Sequence, residues 1–173
     1  AKFVEKMQNK SSAGEQDAGG FFYKPGESKA GTTTNETGVL VFRSYGSMTY
    51  AGLLALIYAD VDRDDPRVRS AFDWACKNWD LKENPGMGAE GLFFFYNVLS
   101  RSLSAYGAEV VPRADGTYTN WRKAVAQKIL SSQTIDPTTG HGYWVNADGR
   151  FWERDPALVT AYSVLALEHA LGQ

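Results

Sequence analysis

The chain has 173 residues, a length that fits one domain with a sizeable core. Its 18 basic and 20 acidic residues leave a net charge of −2, too even a balance for a nucleic-acid or charged-membrane partner. Cys76 is the single cysteine, so no intrachain disulfide can form, and no apolar run approaches the roughly 20 residues that span a bilayer.

The chain opens on Ala1 with no initiator Met and no signal pattern, which reads as a processed chain or a fragment and leaves the compartment open. Ala1 to Gln8 reads as the end of an amphipathic helix. A Gly-, Ser- and Thr-rich loop follows to about Gly38, where the Gly19–Tyr23 and Gly38–Phe42 runs are expected to pair as a hairpin. From about Ser47 to Ala59 comes a helix apolar on every side, hence buried all round. Asp65-Pro66 is a cap-plus-proline start for an amphipathic helix to about Trp79. After Asn84-Pro85-Gly86 a mostly apolar helix is predicted from Met87 to Tyr106, then a small hairpin around Val110–Tyr118 and an amphipathic helix from Asn120 to Leu130. Tyr143–Val145 and Phe151–Trp152 are expected to form another hairpin. Asp155-Pro156 repeats the cap-plus-proline start for the last helix, to about Leu171.

Two repeats run through this order. Thr49 and Leu54-Ala55-Leu56 recur as Thr160 and Leu165-Ala166-Leu167 at a constant offset of 111 residues, with a fainter copy at Met87–Leu92. Gln8 followed by Gly20-Phe21-Phe22-Tyr23 is echoed by Gln133 followed by Gly140–Trp144. About six helices thus alternate between polar-faced and wholly apolar, as concentric helical layers do.

These glutamine-to-aromatic loops and Thr-x-x-x-x-Leu-Ala-Leu helices, with Asp64–Val68, Phe72-Asp73-Trp74 and Glu83–Gly88, resemble the prenyltransferase/squalene-oxidase repeat proteins related to squalene–hopene cyclase. The resemblance implies an all-α, α/α toroid fold over residues 1–173, with inner helices around an apolar cavity, outer helices behind them and small hairpins in the loops. Six helices supply about half of a six-hairpin ring, so self-association or a missing remainder of the toroid is expected. The implied ligand is an isoprenoid or triterpenoid.

Asp62-Arg63-Asp64-Asp65 matches the cyclases' Asp-x-Asp-Asp acid motif, yet it stands after an inner helix; the segments directly before Thr49 and Thr160 carry no acid of that pattern. Carboxylates at a helix start are favoured in their ionised form, so capping is the stronger reading for Asp62, Asp64 and Asp65. The expected ligand mouth lies at the N-terminal ends of the inner helices and gathers Tyr45, Met48, Tyr50, Glu90, Phe94, Asp155 and Tyr162. Of the Phe93–Tyr96 run, one or two rings are expected to line it and the rest to be core. Glu90, a charge on an apolar helix, needs a partner or a raised pKa, and Asp155 reads first as an N-cap. His141, His169 and Cys76 show no metal-ligand spacing, and no cofactor is expected. Three functions compete: an isoprenoid-binding domain that in complete form is a cyclase, a non-enzymatic repeat domain binding protein or peptide on its concave face or loops, and a toroidal glycoside hydrolase or lyase needing two carboxylates across a cleft.

Overall fold

The computed structural model describes residues 2–172, and these are mostly helical. Among them are five α-helices: α1 (Gly46–Tyr58), α2 (Pro66–Lys77), α3 (Leu92–Tyr106), α4 (Trp121–Ser131) and α5 (Pro156–Leu171). Three antiparallel pairs of short strands accompany them, so the molecule is mostly helical rather than all-α: β1 (Thr32–Thr34) with β2 (Leu40–Phe42), β3 (Val111–Pro112) with β4 (Tyr118–Thr119), and β5 (Thr134–Ile135) with β6 (Gly142–Tyr143).

The three apolar helices form one row. α3 lies in the middle, packed as extensively on α5 as on α1, while α2 packs on α1 and α4 on α5. Tyr96 and Phe95 of α3, Trp121 and Ile129 of α4 and Val159 of α5 belong to one core cluster. Phe21, Leu53, Leu56, Val68 and Ala71 form a second around α1 and α2. Phe72 and Tyr106, stacked with ring centroids 4.3 Å apart, touch both clusters and couple them.

The expected caps of α2 and α5 are present: Asp65 accepts from Arg67 N and Asp155 from Ala157 N, both at 2.9 Å. α4 is capped by Asn120, which accepts from Lys123 N at 3.0 Å. α1 and α3 start differently. Ser47 is not a cap; its own N–H donates to Asn84 Oδ1 at 2.9 Å, while Gly46 N donates to Pro85 O at 2.8 Å. α3 begins at Leu92 rather than Met87, because Gly88 and Gly91 take left-handed φ values of 60° and 62° that no continuous helix contains. Its first turn is closed from afar by Glu153, whose Oε1 accepts from Phe94 N at 2.7 Å.

The loops correct several expectations. Residues 4–7 form a 3-10 turn instead of an amphipathic helix. Phe21 bridges Gln8 and accepts from Tyr45 N rather than pairing with Gly38–Phe42; β2 takes β1 instead. The Val111–Thr119 hairpin forms as read. Phe151 and Trp152 form no strand: they sit in a 3-10 turn with φ of 60° and 66°, and β6 pairs with β5.

The two sequence repeats prove to be one device. Phe21 N donates to Thr49 Oγ1 at 3.0 Å, and Trp144 N donates to Thr160 Oγ1 at 3.2 Å. In both units, therefore, the aromatic loop is pinned to the threonine of the apolar helix. Gln8 Nε2 lies 2.8 Å from Arg67 O and 3.0 Å from Gly19 O, tying its loop to α2. At the second copy the Gly142 backbone runs so close to the Gln133 amide that a Cβ would collide with it.

Candidate functional site

A cavity of about 290 Å³ opens at the N-terminal ends of α1 and α3. Met48 comes from α1, Phe94 from α3 and Tyr162 from α5, with the Phe94 and Tyr162 rings edge to face at 5.7 Å. Tyr45, Ser47, Asn84, Met87 and Gly91 form the base, while Tyr23, Lys29 and Phe151 approach from loops. Five aromatic rings and two methionines thus converge on one space, the mainly apolar lining with few polar groups that small-molecule sites share.

The helix ends fix this wall. Phe94 is presented because Glu153 closes the first turn of α3. Glu153 is fully buried; its second oxygen accepts from Asn146 Nδ2 at 2.7 Å, and Asn146 also donates to Ala89 O at 2.7 Å. Asn84, 1% exposed, closes α1 and donates to Glu90 O at 3.0 Å, holding the turn that carries Met87. Phe93, Phe95 and Tyr96 are core, so Phe94 alone of that run turns to the cavity. Burial raises the Tyr45 phenol well above its ordinary pKa, so it stays a neutral hydroxyl.

Charge is confined to the rim. Lys29 pairs with Glu27 and lies 4.7 Å from the Tyr23 ring centre. Lys29 and Lys24 together hold the Glu27 carboxyl at about 2. Glu90 lies in the turn before α3 rather than on a helix; its partner is Arg150, which also stacks over Phe151 at 4.9 Å.

Of the residues expected at the mouth, Tyr45, Met48, Phe94 and Tyr162 line the cavity. Glu90 neighbours it through Gly91 but is bound to Arg150. Tyr50 does not reach it: it is 2% exposed and packs on Phe95 in the core. Asp155 caps α5 and is absent from the lining. The Asp62–Asp65 cluster lies beyond the far end of α1, whose 13 residues span about 20 Å. There Asp62 accepts from Asp64 N, Asp64 pairs with Arg69, and hydrogen bonds from Arg67 hold the Asp65 carboxyl at about 2. Asp65 is the N-cap of α2, and none of the three carboxylates lines the cavity.

Sequence reading missed Tyr23, Lys29, Met87 and Phe151, which arrive from loops whose course no periodicity reveals. A larger groove of about 440 Å³ lies between the N-terminal segment and α2, and in its lining Arg67 pairs with Glu5 and Lys77 with Glu15. Among the described residues no group of His, Cys, Asp and Glu is placed to hold a metal ion, and no helix is long and apolar enough to cross a membrane.

Comparison with protein-family models, characterised proteins and solved structures returns no match to this chain.

Proposed function

We propose that the row α1–α3–α5 is one side of an α/α ring of the squalene-cyclase type, and that its cavity binds an apolar, branched molecule of the isoprenoid class. The observation that carries this reading is the lining: five aromatic rings and two methionines around about 290 Å³, with one ammonium group at the rim. Ring faces and thioethers supply large apolar contact without fixed hydrogen-bond demands, which suits a hydrocarbon chain with methyl branches. The volume lies near the low end of the range of about 300–1,000 Å³ for ligand sites. It takes one end of a long isoprenoid, while the remainder follows Met48, Ala51 and Ala55 along one partly exposed face of α1.

The reading is of binding without turnover. Protonating an alkene requires a neutral carboxylic acid inside the apolar space. The polar lining groups are instead Lys29, Ser47, Asn84 and the phenols. A glycoside hydrolase or lyase would need two carboxylates across the cleft, and none of the lining residues is one.

Titration calorimetry with farnesol, together with mass spectrometry after incubation with squalene, tests this. Saturable binding is expected, weakened at least tenfold by Phe94→Ala, with squalene recovered unchanged. Failure to bind farnesol or squalene would overturn the ligand assignment; a cyclised product would overturn the non-catalytic reading. The second reading, a repeat domain that binds protein, is favoured by a different feature: one flank of α5 is bare.

A further inference from the structure

We propose that a second, polar pocket of about 250 Å³ at the C-terminal end of α2 binds a small zwitterion of the amino-acid class, with its ammonium at Asp17 and its carboxylate at Arg43. This pocket shares no lining residue with the apolar cavity, so the inference is independent of the isoprenoid reading.

Its walls come from distant parts of the chain. Asp17 belongs to the N-terminal loop, Arg43 and Ser44 to the link between β2 and α1, and Trp74 and Asn78 to the end of α2. Ser44 ties the first two segments together: its Oγ donates to Asp17 O at 2.8 Å, and its N–H donates to Asp17 Oδ1 at 2.6 Å. The Trp74 indole N–H donates to Gln16 O at 2.9 Å, which joins the N-terminal loop to α2 across the pocket.

The charges in this lining are what point to a ligand. Asp17 is only 3% exposed, and a carboxylate so deeply buried needs more than one neutral donor. The Ser44 N–H engages Oδ1, whereas Oδ2 accepts from no group among the described residues. Arg43 lines the same pocket, yet among the described residues it forms no ion pair with Asp17 or any other carboxylate. Two opposite charges that share a space without meeting suit a molecule that carries both. An ammonium has three donors and no acceptor. Asp17 Oδ2 takes one, and Asn78 Oδ1 is open to a second, because Asn78 spends its amide nitrogen on Trp74 O at 2.9 Å. Asn78 is also the C-cap of α2, and the C-terminal end of a helix favours a cation. The Arg43 guanidinium takes the ligand's carboxylate, and Trp74 and Ala30 are left for its carbon skeleton. A plain amine or a plain acid would satisfy one charged residue and leave the other as it is.

Ligand-observed NMR titrations with glycine, β-alanine and γ-aminobutyrate test this, since the series sets the two charges progressively further apart. Propylamine and propionate serve as single-charge controls. At least one of the zwitterions is expected to bind saturably, and at least tenfold more tightly than either control. Asp17→Asn and Arg43→Gln are each expected to weaken that binding at least tenfold with the helical circular dichroism intact, because asparagine keeps an oxygen for the Ser44 N–H. No saturable binding of any of the three, a control that binds as tightly, or binding indifferent to either substitution would overturn the inference. None of these results depends on whether farnesol or squalene binds.

Discussion

Glu153 is a carboxylate with no exposure to solvent and no cation among its hydrogen-bond partners. Its two side-chain oxygens accept from the N–H of Phe94 in the first turn of α3 and from the amide of Asn146. Glu153→Ala strips the helix of that acceptor and leaves Asn146 Nδ2 short of one. At about 1–3 kcal/mol for a buried polar group left without its partner, the expected loss is about 3 kcal/mol in urea unfolding, with Glu153→Gln milder because its carbonyl can still accept from Phe94. His169 gives a pH effect of known sign. Burial, and then the nearby Arg101, hold its pKa below the ordinary 6.5. The unfolded chain therefore takes up the proton first, so His169 lowers stability as pH falls below about 6.5, and the loss levels off once the folded form is protonated too. Replacing it by Gln should flatten that part of the stability–pH curve; an unchanged slope would show that another group causes it.

At the scale of elements, Gly52 shows packing overriding propensity. A glycine in mid-helix costs about 1 kcal/mol relative to alanine, so propensity alone says that Gly52→Ala stabilises α1. A Cβ there would stand 2.5 Å from Phe21 Cγ and Cδ1, in the ring that links the first aromatic loop to α1. Overpacking of this kind costs about 1–3 kcal/mol, and the ring is buried with little room to move. The net expectation is a lower Tm for Gly52→Ala, and a rise would mean that Phe21 shifts freely. The same contrast explains what the sequence revealed. α2 and α5 were legible to their first residue because Asp65 and Asp155 lie beside the turns they cap. The starts of α1 and α3 were not, since Asn84 and Glu153 stand 37 and 59 residues from the N–H groups they accept from. Two of the hairpins were misassigned for a related reason: strands of two or three residues carry too little alternation to fix a partner.

At the scale of the whole molecule, the alternation of apolar and amphipathic helices was readable because each apolar helix is long and closed by punctuation. The row it forms could not be read as closed or open. Four of the cavity residues were legible because they stand at one end of aligned helices; Phe151 was not, because a left-handed backbone pair places it, at a cost of about 1–3 kcal/mol for each strained residue. The long-range caps also bear on the order in which the chain can fold during synthesis. Domains tend to form from the N-terminus as the chain emerges, yet each of the first two apolar helices waits for a residue made later. α1 is complete in sequence at Tyr58 but gains its cap only when Asn84 has been made; α3 ends at Tyr106 and waits for Glu153. Nascent chains that stop short of Glu153 hold α3 with its first turn open and Phe94 unfixed, so the cavity cannot take its final shape until Glu153 and Tyr162 have left the ribosome.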